Sequence, residues 1–378
     1  MIIPLLVFLG ILSFLVFIHE LGHFWTAKKF GIGVEEFGMG LPPRAWGKKI
    51  GDTIYSINWL PLGGFVKIKG EDLDGYDPKD ATNFMNKHPW KRSVVLVAGV
   101  TMNLIFAVTV FYAILGLNGW KSFPLLLLND YQFKYGEVKT VPNIVTFLEE
   151  DSPALKANIQ FGDIIYAMEF EDQVAAINNV DDVRNFLSDK ADKEIIVKTK
   201  NINTEKDVEY KITPAYYEEI GQPGLGVSMS DGIYLDYSTM PLLAGFQHSM
   251  NIMGYTFSVM GDLISLSVEE KSIEPVSQGV SGPIGIFGAV QSVIDADTDK
   301  TIYTLLDLSA LLSLSLAIMN LLPIPALDGG RLVFVVFEWI TGKRASSKIE
   351  ARAHQVGFAM LILLLVAITF KDVFQYII

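Results

Sequence analysis

Residues 19–23 read His19-Glu20-Leu21-Gly22-His23. Two imidazoles four positions apart share one face of a helix, with Cβ atoms ~5–6 Å apart, so a helical segment lets both reach a single ion. Neutral imidazole suits zinc, and a catalytic zinc keeps three protein ligands and one position for water. Glu20 stands beside that water and can take its proton as general base. With five His and 19 Glu among 378 residues, chance gives roughly 0.003 such motifs per chain, so the spacing is a signal. The bland alternative is a coincidence in a buried helix. In hydrocarbon it is a costly one, because ionisable groups there need a partner or a metal.

A third ligand must come from another element. The chain has no cysteine, so thiolate ligands and disulfides are excluded and only His, Asp or Glu can serve. The candidate is Asp328 in Asn320-Leu321-Leu322-Pro323-Ile324-Pro325-Ala326-Leu327-Asp328-Gly329-Gly330. It is expected to end an apolar helix at a Pro-broken, Gly-rich turn, where backbone can bend toward a site. A carboxylate completes a two-His-one-acid set. The competing reading makes Asp328 a cap or turn residue where the chain leaves a membrane.

The elements that would position these groups are largely apolar. Half the residues are hydrophobic and the mean hydropathy is +0.34, unusual for a soluble chain of this length. Four stretches, 4–27, 93–116, 303–322 and 355–376, are each long enough to cross a hydrocarbon core of ~30 Å. Segment 240–268 is apolar but carries Gln247, His248, Asn251 and Asp262, and reads as an amphipathic helix or an ordinary soluble one. The apolar run 2–18 has no basic start and no small-residue cleavage site, so it is expected to be retained. The net charge of -12 and the absence of a basic face exclude nucleic acid as a partner.

Charge also orients the chain. Segment 28–92 holds eleven Lys or Arg and 323–354 holds five, whereas 117–302 has 28 acidic against 13 basic residues. The positive-inside rule places the first two in the cytosol, and both termini and the long acidic segment outside. Within that segment, 144–147, 164–168 and 195–198 are β-rich and 180–187 helical. Residues 53–69 have a hairpin-like pattern with a turn at Pro61 to Gly64. The expected fold is a multi-pass α-helical membrane protein with four transmembrane helices, a membrane-associated β-hairpin loop and an inserted extracytoplasmic PDZ-like α+β domain. Its organisation divides into 1–116, 117–235 with the PDZ-like part at 136–214, 236–300, and 301–378.

The PDZ expectation rests on Asp151-Ser152-Pro153-Ala154-Leu155-Lys156-Ala157 followed by Phe161-Gly162-Asp163-Ile164-Ile165, which resembles the core of PDZ domains. A wider resemblance spans nearly the whole chain. The His-Glu-x-x-His helix together with the segment from Asn320 to Gly330 resembles the signature pair of the site-2 protease family of intramembrane metalloproteases. Leu60-Pro61-Leu62-Gly63-Gly64-Phe65-Val66-Lys67 is similar to that family's membrane-reentrant β-hairpin, and Ser281-Gly282-Pro283-Ile284-Gly285 to its Gly-Pro segment before the third helix.

The resemblance implies one Zn2+ per chain held by His19, His23 and Asp328, with Glu20 as base. It makes Asn320 a polar group for the unwound substrate or the oxyanion. Asn103, Gly63, Gly64, Gly282 and Pro283 are the implied substrate contacts. In place of the family's Gly-Pro-x-x-Asn, the second helix has Gly99-Val100-Thr101-Met102-Asn103. Implied partners are transmembrane protein substrates such as anti-sigma factors or remnant signal peptides, membrane lipid, and exported peptide tails for the PDZ-like domain. The implied setting is a bacterial cytoplasmic membrane with the site open to the cytosol. Two other classes compete: a non-enzymatic membrane scaffold, which needs no zinc, and a zinc transporter or sensor, which needs a polar file across the whole membrane.

Overall fold

The computed structural model describes residues 2–376 apart from 72–76, 150, 161, 172, 202–206, 219–220, 296–300 and 345. In chain order the first elements are α1 (Ile2–Lys29), β1 (Val34–Ile50), β2 (Thr53–Ile68), α2 (Pro89–Leu117), β3 (Leu125–Leu126) and β4 (Glu137–Leu148). Then come α3 (Pro153–Lys156), β5 (Asp163–Phe170), β6 (Gln173–Ala176), α4 (Val180–Leu187), β7 (Ile195–Asn201), β8 (Asp207–Ile212), β9 (Ala215–Tyr217), β10 (Gln222–Gly224) and β11 (Val227–Asp236). The chain closes with α5 (Ala244–Glu270), α6 (Glu274–Gln278), α7 (Pro283–Asp295), α8 (Thr301–Leu321), α9 (Asp328–Thr341) and α10 (Ser347–Tyr376).

Four of these helices, α1, α2, α8 and α10, are long and apolar enough to cross a membrane. The 28 residues of α1 rise about 42 Å. In α2, 44% of the apolar window is buried inside the protein, but only 11% in α10. Phe358, Leu363, Leu364 and Phe370 of α10 are exposed, and an uncovered apolar surface of that kind belongs in lipid.

The chain divides into two units. One comprises Met1–Phe111, Ile252–Asp297 and Tyr303–Ile378, and the other Tyr112–Asn251 with Thr298–Ile302. In the first, Ala27, Ile32, Val34, Ile68, Phe84, Val95, Leu96 and Val335 form a buried core. This core joins the end of α1 and the base of the hairpin to α2 and α9.

The hairpin differs from its sequence expectation. Residues 53–68 are one continuous strand whose partner is β1, and the reversal falls at Gly51-Asp52. Pro61 to Gly64 instead marks where β2 passes from one side of β1 to the other. Phe37 is registered with both Tyr55 and Val66, and Gly38 with both Ser56 and Phe65, while Lys48 meets Tyr55 farther out. Residues 64–68 are thereby left along one edge, paired only with residues 34–39 among the described strands. Met39, Leu41, Trp46, Ile57, Trp59 and Leu60 are exposed on this hairpin.

The second unit holds a sheet of order β3-β11-β4-β5-β7-β8, with β6 on β5. It extends past residue 214 because β11 runs antiparallel along β4, from Val227 opposite Leu148 to Asp236 opposite Glu137. Ser152 caps α3 by accepting from Leu155 N, and Asn179 caps α4 by accepting from Asp182 N, so each helix starts where a side-chain oxygen replaces the missing backbone acceptor. Val183 and Leu187 of α4 join Ile165, Met168, Val197 and Leu225 in the core.

Candidate metal centre

α1 carries His19, Glu20 and His23 in its C-terminal half. Gly22 allows α1 to lie directly on the Ala98 backbone of α2, where any Cβ would collide. Gly99 of α2 leaves the space that both imidazoles fill, since a Cβ there would stand 2.5 Å from His23 Nε2 and 2.7 Å from His19 Nε2. His23 Nδ1 donates to Val95 O at 2.8 Å. A carbonyl only accepts, so Nδ1 carries a proton, and in the neutral ring that leaves the Nε2 lone pair for a metal.

Asp328 reaches the same point from the other end of the sequence. It opens α9 rather than ending α8, which stops at Leu321. Between them residues 322–327 fold into a tight turn, with Ile324 N donating to Leu322 O at 2.7 Å and Leu327 N to Ile324 O at 3.1 Å. Gly329 and Gly330 lie on the carbonyls of Leu321, Leu322 and Ile324, and Gly357 of α10 lies on Pro325 O, with no room for a Cβ at any of the three. His354 Nδ1 accepts from Ala326 N at 2.9 Å. Ion pairs hold the rest of α9: Glu338 with Arg92 of α2 and with Arg344, and Arg331 with Glu71. Burial works against the Glu338 charge, but hydrogen bonds from Arg92 and Arg344 outweigh it and hold that carboxyl below the usual range.

The result is three donor atoms around one point. Asp328 Oδ2 is 2.9 Å from His19 Nε2 and 3.2 Å from His23 Nε2, and the two Nε2 atoms are 3.1 Å apart. Donors on a tetrahedral zinc with bonds of ~2.0–2.1 Å stand about 3.3 Å from one another. The three separations match one face of such a tetrahedron, and the His, His, Asp set is what zinc takes in hydrolytic sites. Among the described residues, this is the one cluster of three or more His, Asp or Glu that could hold a metal.

Other site candidates are spread around it. Glu20 Oε2 accepts from Val66 N at 3.0 Å, so the candidate base touches the edge strand of the hairpin. Gly64 is beside Glu20, and Gly63, at φ +74°, packs on Val16 of α1. Asn320 is half-buried in the last turn of α8. Asn103 is fully buried, with its amide nitrogen 3.4 Å from His19 Nδ1. Gly282 and Pro283 are held elsewhere in this unit: Asp372 Oδ2 of α10 accepts from Gly282 N at 3.0 Å and Gly285 N at 2.9 Å. Val95, Gly99, His354 and Gly357 were not foreseen. Only Gly99 had a signal, the small residue four places before Asn103.

A three-donor cluster whose geometry fits zinc, on helices apolar enough to cross a membrane, suits a membrane metallopeptidase. A model of Peptidase family M50 matches residues 7–364. A Clostridium acetobutylicum protein named as a zinc metalloprotease is 30% identical over 367 residues, covering 97% of this chain and 96% of its own. A similarly named Clostridium perfringens protein is 30% identical, with 96% of each chain covered. Zinc metalloprotease RasP of Shouchella clausii is 27% identical, with 98% of each covered. The chain belongs to Peptidase family M50, the site-2 proteases. It is an integral membrane zinc metalloprotease.

Proposed function

We propose that this chain hydrolyses peptide bonds within or next to the transmembrane segments of other membrane proteins. The observation that carries the reading is the meeting of His19, His23 and Asp328 next to a strand edge that, among the described strands, is paired on one side and already touches Glu20. His19 is ten residues from the end of α1 at Lys29, about 15 Å along the helix, which is well inside a hydrocarbon layer. The cationic loops 28–92 and 323–354 support a topology with that end in the cytosol of a bacterium, and both termini and the second unit outside.

His19, His23 and Asp328 hold the zinc, which when bound polarises the scissile carbonyl and acidifies water. Everything else falls to the chain. A helical substrate shields its peptide bonds by its own hydrogen bonds, so it must unwind before attack. Residues 64–68 offer an edge to which the unwound stretch adds as a strand. Val66 N–H points out from that edge, since its partner is the Glu20 carboxylate. An arriving substrate carbonyl replaces Glu20 at this donor and frees the carboxylate to take the proton of water. Glu20 then returns the proton to the leaving amine. Asn320 donates to the developing oxyanion, and the PDZ-like unit sorts substrates by their exported parts.

The test is Glu20→Gln in proteoliposomes with a model transmembrane substrate. Zinc content should match wild type while cleavage falls by about 10²-fold or more, the scale of a lost general base. Undiminished cleavage by this variant refutes the assignment of Glu20.

A further inference from the structure

The two ligand imidazoles each turn their second nitrogen toward α2, but they meet different groups. His23 finds the carbonyl of Val95, which can only accept. His19 finds no carbonyl. Its Nδ1 faces the side chain of Asn103, about two turns farther along α2, at 3.4 Å from the amide nitrogen. Asn103 is 0% exposed and its Oδ1 has no hydrogen-bond partner. Its backbone is held too, because Ser313 Oγ of α8 donates to Asn103 O at 2.9 Å.

With a metal on Nε2, the neutral ring of His19 must carry its proton on Nδ1, and Nδ1 becomes a donor. The amide nitrogen of Asn103 is also a donor, so that pairing cannot persist. Turning the carboxamide by 180° exchanges nitrogen and oxygen, which are almost equal in size. The buried oxygen then accepts from Nδ1–H, and both ligand imidazoles have an acceptor on α2.

We infer that Asn103 is a positioning residue whose carboxamide oxygen accepts from His19 Nδ1–H, fixing the tautomer and rotation of the ring so that Nε2 meets the metal. This rests on the zinc-site reading above. It gives Asn103 a role on the Nδ1 side of His19, away from the Nε2 atom that approaches Asp328. Groups in this position raise ligand basicity and hold ring orientation, and their loss costs about 10–100-fold in metal affinity.

The test uses the full chain purified in detergent as wild type, Asn103→Leu, Asn103→Ala and Asn103→Asp. Zinc affinity is read by competition with a chromophoric chelator, and ligand geometry from the visible spectrum of the cobalt(II)-substituted protein. The two variants without an acceptor should lose about 10–100-fold in zinc affinity and alter the cobalt spectrum. Asn103→Asp, which restores an acceptor of the same length, should stay close to wild type in both. Wild-type affinity and spectrum in either Leu or Ala overturns the inference, as does an Asp variant as weak as those two. A wild-type chain that binds no zinc overturns the metal-site reading itself, whereas normal wild-type binding with an indifferent Asn103 removes this inference alone.

Discussion

At Gly99 the ligand cluster depends on the absence of one carbon. A Cβ there would lie 2.5 Å from His23 Nε2 and 2.7 Å from His19 Nε2, too close for the rings to stay where they meet Asp328. Gly10 of α1 has nothing within 4 Å of the same hypothetical atom. Gly99→Ala should therefore weaken zinc binding by at least about 10-fold, as displaced ligand shells do, and Gly10→Ala should leave it unchanged. Equal zinc affinity in both variants would remove the steric argument. The contrast explains what could be read from the sequence at this scale. His19 and His23 were legible because helical spacing alone puts them together, and Glu20 because it completes their motif. Val95 acts through a backbone carbonyl, which leaves no residue-type signal, and Gly99 through empty space, for which its place four residues before Asn103 was the one hint.

At the scale of elements, the long apolar helices were legible within about four residues because length and hydropathy decide them, except that α10 begins at Ser347, eight residues before its apolar stretch. β1 and α9 were not. β1 contains Gly38, Gly40, Pro42, Pro43 and Gly47, residues that ordinarily interrupt strands, and it forms because β2 pairs with it from two sides. α9 lies in a stretch with five cations, which reads as a loop until Arg331 and Arg344 are seen in ion pairs. Asp328 was found as a ligand candidate, but its helix was assigned the wrong way round for the same reason.

α5 was expected as an amphipathic or an ordinary soluble helix, and its polar residues have a structural use in the second unit. Asn251 Nδ2 donates to Tyr237 Oη at 3.0 Å, and Tyr237 Oη is 3.1 Å from His248 Nδ1. With its own proton the phenol donates to His248, which needs the imidazole neutral. Burial pushes the His248 pKa down from 6.5 to about 4. The folded value lies below the free one, so this contribution to stability is complete above about pH 6.5 and is lost as pH falls toward 4, by about 3 kcal/mol in all. Hydrogen exchange of residues 246–252 in the full chain, corrected for intrinsic rates, should lose protection between pH 6.5 and 5. In His248→Gln that pH dependence should shrink, and an unchanged profile would contradict the role given to His248.

Over the whole molecule, a polar cluster sits among helices apolar enough for lipid, and where lipid offers no partner the protein must supply every one those polar groups need. It does so from sequence-distant segments: α1 gives two imidazoles, α9 a carboxylate, and α2 the surface on which the rings are set. The measurement that bears most directly on this arrangement is zinc-edge X-ray absorption on the purified full chain, with metal content determined in parallel. One zinc per chain is expected, with two imidazole nitrogens and light oxygen ligands at about 2.0–2.1 Å, and both metal and imidazole scattering should be lost in His23→Ala and Asp328→Ala. A zinc without imidazole scattering, or one retained unchanged in Asp328→Ala, would contradict the convergence of these three residues on a single ion.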